Sequence, residues 1–260
     1  MDRYQLYELC VTDPPRLTRF LAAVHGGTRK SPRPPLTLRE DFCGSGAVAR
    51  YWATAGPKRR AIAVDNDARV LKKAKGPGVR TIASDAARCK AKADIISATN
   101  FPIGYWHTRE ELVAYLRTAK SSLNPRGIFV CDMYGGRSAF TSPTATRRTF
   151  RASTGERVEY TWRQVEADPI SGLVTDTLSF RVTRKGQARA EIHRDAFVYH
   201  WRLWSIPELT DVMHEAGFAK VEVYDRLGDA IDGDGRLYVR PVGPGEGLDE
   251  DWVVYIAARK

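Results

Sequence analysis

Hydrophobic positions change period several times along the chain, and each change marks an element. Leu36 and Leu38 alternate ahead of Glu40 and Asp41, the spacing of a strand, whereas Val48, Tyr51 and Trp52 recur at helical spacing after Gly46. A strand, a tight glycine turn and a helix are therefore predicted over 36–52. Gly44 and Gly46 allow a sharp turn and leave no Cβ between the backbone and a ligand lying across the strand end. A nucleotide-like cofactor is expected there. Upstream, residues 2–11 carry an uneven helical stripe, and Leu17, Phe20, Leu21 and Val24 fall at i, i+3, i+4, i+7. Residues 26–35 form a Gly/Pro-rich connector.

The alternation continues downstream. A buried strand over 61–64 ends in Asp65-Asn66-Asp67, and a helix is expected to begin at Val70 and Leu71 and stop near Gly76. Strands follow over 79–83 and 93–98. Thr108 to Glu111 is a capping box for a helix aligning Leu112, Leu116, Ala119 and Leu123, before a fifth strand over 128–131. Strands alternating with helices predict an α/β fold: a Rossmann-like, mostly parallel sheet with helices on both faces and ligands at the carboxyl ends of the strands. From Arg147 to Trp204 the period becomes two and the residues β-branched and aromatic, which predicts an antiparallel β-meander. Ser205 to Glu208 caps a last helix, and strands over 221–224 and 252–256 close the chain. The expected organisation is N-terminal helices covering the cofactor site (1–35), the cofactor-binding core (36–144), an antiparallel cap (145–204), and a last helix with strands completing the core (205–260). The glycine-rich, acidic stretch 228–251 is long enough to be a lid.

Composition narrows the classes. With 43% hydrophobic residues the chain can bury a substantial core. No apolar run approaches the roughly 20 residues needed to span a bilayer, and the start lacks a signal-peptide apolar core, so a soluble, cytoplasmic protein without a membrane partner is expected. Cys10, Cys43, Cys89 and Cys131 are scattered, which suggests neither a metal site nor a disulfide framework. The net charge of +10 raises nucleic acid or an acidic substrate as a partner, but the basic residues are dispersed and each cluster alone reads as solvated surface.

Residues 44–49 fit the pattern GxGxxA, and Asp65 lies about 20 residues on, which keeps an NAD-dependent oxidoreductase in view. Two features oppose it. Glu40 and Asp41 place carboxylates beside the turn, only partly offset by Arg39, and a cationic ligand matches them better than a pyrophosphate. Polar residues also recur at successive strand ends: Glu40, Asp65, Asp85, Asn100 and Asp132.

As an ordered set, these residues resemble the class I S-adenosylmethionine-dependent methyltransferases. Glu-Asp-Phe-Cys-Gly-Ser-Gly over 40–46 is similar to the family's acidic-x-Gly-Cys-Gly-Thr-Gly motif, Asp65 to the acid that holds both ribose hydroxyls, and Ser84-Asp85-Ala86 to the motif whose Asp accepts from the adenine amino group. Residues 93–101 and 123–132 resemble the fourth- and fifth-strand motifs. Phe42 departs from the pattern, standing where the family usually has its first glycine. A subgroup shares Leu-Arg-Glu-Asp-Phe-Cys-Gly, a Tyr-x-Leu-Tyr-Glu like 4–8 and a Tyr-x-Trp-Arg-Leu-Trp like 199–204.

The resemblance implies a seven-stranded core that binds S-adenosyl-L-methionine and releases S-adenosyl-L-homocysteine. It assigns Tyr7, Arg39, Glu40, Asp41, Cys43, Gly44, Gly46, Asp65, Asn66, Asp85, Ala86, Asn100 and Phe101 to the cofactor. Tyr105, Trp106, Trp201 and Trp204 are candidates for the acceptor, and Tyr134, Tyr199 and Arg202 for catalysis. His107 and His200 lack a carboxylate partner in the sequence and read as structural, and Cys43 reads as packing rather than a nucleophile. The expected partner is a small-molecule acceptor methylated on O or N, with a homodimer left open. An RNA acceptor and a non-catalytic cofactor-binding regulator are the other readings.

Overall fold

The computed structural model describes residues 1–27, 34–187, 189–231, 233, 237–243 and 245–260. In chain order the elements are α1 (Arg3–Val11), α2 (Pro14–Gly26), β1 (Thr37–Asp41), α3 (Ala47–Thr54), β2 (Arg60–Asp65), β3 (Val79–Ala83), β4 (Ala93–Ala98), α4 (Arg109–Ser122) and β5 (Leu123–Gly136). The meander follows as β6 (Thr144–Arg151), β7 (Arg157–Asp168), β8 (Leu173–Thr183) and β9 (Glu191–Arg202). The chain closes with α5 (Ile206–Glu215), β10 (Lys220–Tyr224), the short pair β11 (Ala230–Ile231) and β12 (Leu237–Tyr238), and β13 (Asp251–Arg259).

The main sheet has the order β10-β13-β5-β4-β1-β2-β3. β1, β2, β3, β4 and β5 run parallel, while β13 is antiparallel to both β5 and β10. β1 is buried from Leu38 to Asp41 because it pairs on both edges and is covered on both faces. One layer packs α4 and α5 over β4, β5 and β13 through Leu112, Leu116, Leu209 and Met213; the other packs α2 and α3 through Phe20, Leu21, Val48 and Trp52. This is the predicted doubly covered, mostly parallel sheet.

One connection is shorter than expected. The helix read from Val70 and Leu71 is only a 3-10 turn, Val70–Lys72, and β3 reaches β4 through a second such turn, Ala86–Arg88. The apolar residues Val70, Leu71 and Ala74 are buried, but Gly76-Pro77-Gly78 ends the segment before a second helical turn can form. β5 is longer than its apolar run because it pairs with β13 as far as Gly136.

The cap is a separate four-stranded antiparallel sheet, β6-β7-β8-β9. Its inner face, Val158, Tyr160, Leu178, Phe180 and Val182, packs on Leu6 of α1. The two N-terminal helices therefore join different layers, α1 the cap and α2 the core. Ion pairs from Asp2 to Lys73 (2.7 Å) and from Glu8 to Arg50 (2.9 Å) tie α1 back to α3 and to the segment after β2. Part of 228–251 lies outside the described residues; of the rest, Leu237 and Val239 pack on the α2 layer, and none lines the main cavity. No helix among the described residues is long and apolar enough to cross a membrane.

Candidate cofactor and active site

A cavity of about 560 Å³ opens at the carboxyl ends of β1, β2, β3 and β4, roofed by Tyr4 and Tyr7 of α1 and by Phe197 and Tyr199 of β9. Its floor is the turn after β1. Gly44 has φ +52°, and a Cβ there would project into open space, so nothing separates its backbone from a ligand. Gly46 has φ +70° for a different reason: a Cβ would lie 2.6 Å from the Ala74 Cβ. Gly46→Ala is expected to lower stability by about 1–3 kcal/mol, read as a lower urea midpoint, because it adds both left-handed strain and overlap.

Glu40 is buried and accepts from the Ala49 N–H at 2.8 Å, capping the first turn of α3 from the preceding strand. Burial pushes its carboxyl up to about 8; that N–H and Arg50 oppose the shift, and Glu8 and Asp65 reinforce it. Asp65 is oriented by two backbone donors, Gly44 N–H on Oδ2 at 2.8 Å and Asp67 N–H on Oδ1 at 2.9 Å. Each oxygen keeps a second lone pair, the acceptor geometry a vicinal diol requires. Asp85 accepts from Ala87 N–H at 2.8 Å. Cys43 lines the cavity, and burial among Glu40, Asp65 and Asp41 drives its thiol upward, which keeps it neutral and unreactive.

The far rim is built by one carboxylate. Asp132, at 4% exposure on β5, accepts from Asn100 N–H at 2.9 Å and Phe101 N–H at 2.8 Å. Both residues are left-handed, with φ of +71° and +66°, a conformation two consecutive non-glycine residues seldom hold unaided. Phe42 is also left-handed (φ +56°), a conformation that suits glycine and that a phenylalanine seldom adopts. Its ring lines the cavity and packs against Tyr105 and Trp106 at 5.9 and 5.4 Å.

Of the residues singled out in the sequence, Tyr7, Glu40, Cys43, Gly44, Asp65, Asn66, Asp85, Asn100, Tyr105, Trp106 and Tyr199 line this one cavity. Others lie behind its wall. Arg39 and Asp41 form a fully buried pair, Nε to Oδ1 at 2.7 Å and Nη2 to Oδ2 at 2.7 Å, with the Tyr115 hydroxyl donating to Asp41 at 2.9 Å. Strand alternation sends Glu40 to one face of β1 and this pair to the other. Gly46, Ala86 and Phe101 are also absent from the lining.

The acceptor and catalytic candidates divide similarly. Trp201 is buried behind Tyr199, stacked on it at 4.2 Å, and approaches so closely that a Cβ at Gly104 would overlap it. Trp204 is core, donating to the Trp106 carbonyl at 3.3 Å. Arg202 is occupied: it donates to the His107 carbonyl, pairs with Glu208 at 3.3 Å and lies 3.9 Å over the Trp204 ring. Tyr134 is turned to the cap, its hydroxyl donating to buried Asp176 at 2.6 Å. His107 meets the His200 carbonyl and His200 meets Thr175, as structural residues do.

The sequence reading missed Tyr4, Phe197 and Asp176. The first two carry a legible signal, since Tyr4 shares a helix face with Tyr7 and Phe197 a strand face with Tyr199. Asp176 falls in the inward register of Val174, Leu178 and Phe180, where a carboxylate interrupts an apolar face. Among the described residues, no group of three or more His, Cys, Asp or Glu is placed to hold a metal ion.

No protein-family model matches the sequence, and no curated protein matches it. Solved structures do match in fold. One is a S-adenosylmethionine-dependent methyltransferase from Clostridium acetobutylicum, 14% identical over 98% of this chain and 96% of that one, with a TM-score of 0.68. Another is CalS10, an amino pentose methyltransferase from Micromonospora echinaspora solved with S-adenosylmethionine bound, at 17% identity, 100% and 98% coverage, and a TM-score of 0.69. A third is the sugar N-methyltransferase KedS8 from a Streptoalloteichus species, at 14% identity, 100% and 93% coverage, and a TM-score of 0.68. At these identities the likeness is one of architecture.

Proposed function

We propose that this chain, which has the Rossmann-like fold of the class I S-adenosylmethionine-dependent methyltransferases, transfers a methyl group from S-adenosylmethionine to an oxygen or nitrogen of a small molecule. The observation that carries the reading is Asp65, held by two backbone N–H groups at the end of β2 beside the open backbone of Gly44. In this reading Asp65 takes the two ribose hydroxyls, Asp85 the adenine amino group, Glu40 the ammonium of the methionine end, and Phe42 an apolar flank. An NAD-type pyrophosphate fits poorly, because Glu40 and Asp65 face the turn where it would lie and no basic side chain among the described residues lines the cavity.

The cofactor brings the sulfonium that makes its methyl group electrophilic. The chain contributes alignment: the cap and α1 close the cavity from above, exclude water and fix the direction of approach. Tyr105 and Tyr199 line the same cavity and shape the acceptor end, and Trp201 braces Tyr199 from behind.

Calorimetry with S-adenosylhomocysteine tests the reading, with NADH as the control. S-adenosylhomocysteine is expected to bind, NADH is not, and the reverse outcome overturns the proposal. The affinity is also expected to rise with pH by up to about tenfold per unit below pH 8, because the ligand ammonium requires the ionised Glu40 and binding expels its proton. Without ligand the sign reverses. The folded chain keeps a proton that the unfolded chain loses above its ordinary value of 4.5, so Glu40's contribution to stability falls as pH rises from there to about 8. Glu40→Gln should flatten both dependences.

A further inference from the structure

Resting on the methyl-transfer reading, we infer that the acceptor atom is the nitrogen of an amine, not the oxygen of a hydroxyl or a carboxylate. The first ground is charge. Four carboxylates, Glu40, Asp65, Asp67 and Asp85, line the cavity, and among the described residues no Lys, Arg or His does, although the chain as a whole carries +10. When a neutral amine attacks, its lone pair becomes the new N–C bond and the C–S bonding pair stays on sulfur. The positive charge passes from sulfonium to ammonium and never leaves the anionic cavity, and the extra proton departs afterwards to solvent. An acceptor carboxylate would instead bring a further anion to these carboxylates, with no Lys, Arg or His among the described lining residues to pair with it.

The second ground is the protonation state an acceptor needs. An aliphatic hydroxyl must lose its proton as it attacks, which requires a base in reach. In the proposed reading Asp65, Asp85 and Glu40 are taken up by the cofactor, and Asp67 is paired with Arg69, which leaves no lining carboxylate among the described residues to take that proton. Burial pushes the Tyr7, Tyr105 and Tyr199 phenols upward, so none offers a phenolate near neutral pH. An aliphatic amine is mostly protonated near neutral pH, but its neutral fraction has already lost its proton to solvent and needs no base in the cavity to attack.

The third ground is the roof. The rings of Tyr4 and Phe197 pack edge to face at 5.6 Å, and Tyr7 lies 5.1 Å from Phe197. Arg3 places its guanidinium 4.9 Å from the Tyr4 centroid and 5.2 Å from that of Phe197, so these rings already accept a cation. A methylated ammonium suits the same aromatic surroundings.

The test supplies the enzyme with S-adenosylmethionine carrying an NMR-labelled methyl carbon and the small-molecule fraction of a bacterial extract, and then reads the proton–carbon correlation spectrum. N-methyl and O-methyl groups resonate apart, so the bonded atom is identified before the product is. The expected result is labelled N-methyl product that a cation-exchange resin retains at neutral pH. Labelled methyl ether or ester overturns the amine assignment and leaves the methyl-transfer reading standing. No labelled product from a protein that binds S-adenosylhomocysteine in the calorimeter overturns the methyl-transfer reading itself, and this inference with it.

Discussion

Asp65→Ala is expected to weaken S-adenosylhomocysteine binding about a thousandfold, taking a calorimetric titration to the edge of detection. The carboxylate would hold two ligand hydroxyls, and hydrogen bonds to a charged group contribute about 1.5–3 kcal/mol each, which together correspond to that factor. The same side chain fixes the Gly44 and Asp67 N–H groups, so its loss also loosens the floor of the cavity. Asp65→Asn removes half of each set of contacts, because an amide keeps one acceptor oxygen and turns a donor toward the other backbone N–H and the second hydroxyl. It should recover part of the affinity, with a urea midpoint between those of Asp65→Ala and the parent chain. Unchanged affinity in Asp65→Ala would remove the ribose assignment.

Asp41→Ala carries the largest expected effect on stability, a loss of about 3–5 kcal/mol measured by urea unfolding, because it strands the guanidinium of Arg39 at 0% exposure. The remaining partners of that guanidinium are the Cys89 and Ala91 carbonyls, which cannot neutralise it, and Tyr115 loses its acceptor as well. Replacing both charges, as Arg39→Met with Asp41→Leu, should restore much of the stability, since a buried ion pair roughly balances its own desolvation. Affinity for S-adenosylhomocysteine in the double variant should stay close to the original, because neither residue lines the cavity. An equal loss in the single and double variants would show that volume, not charge, governs the site.

The sheet was legible because its strands are short apolar runs closed by polar residues, and the capping boxes at Thr108 and Ser205 mark the starts of α4 and α5. The floor of the cavity was legible too, since one strand, one turn and one helix start lie within a few residues of each other. The two carboxylates at 40 and 41 show where local reading stops. They are chemically alike and adjacent, yet one faces the cavity and its neighbour faces a guanidinium two residues back, a difference of strand register that composition does not record. The proposed acceptor side is assembled from β9, α1 and the segment 99–106, elements far apart in sequence. Tyr134 and Arg202 are polar residues near the right strand ends, and their partners Asp176 and Glu208 emerge only once the cap is folded against the core. Val70 and Leu71 promise a helix by spacing, but the chain turns at Gly76-Pro77-Gly78 before one can grow.

Asp132 gives the rim of the cavity a mechanical character of its own. A single side chain from the neighbouring strand clamps two consecutive left-handed residues, and the cost of their shape is met within the folding of β5 instead of by any ligand. Residues 100 and 101 are therefore held in shape before anything binds, and association does not have to order them. The clamp also frees positions 100 and 101 from glycine, so a side chain as large as phenylalanine occupies a corner where local sequence rules would look for none.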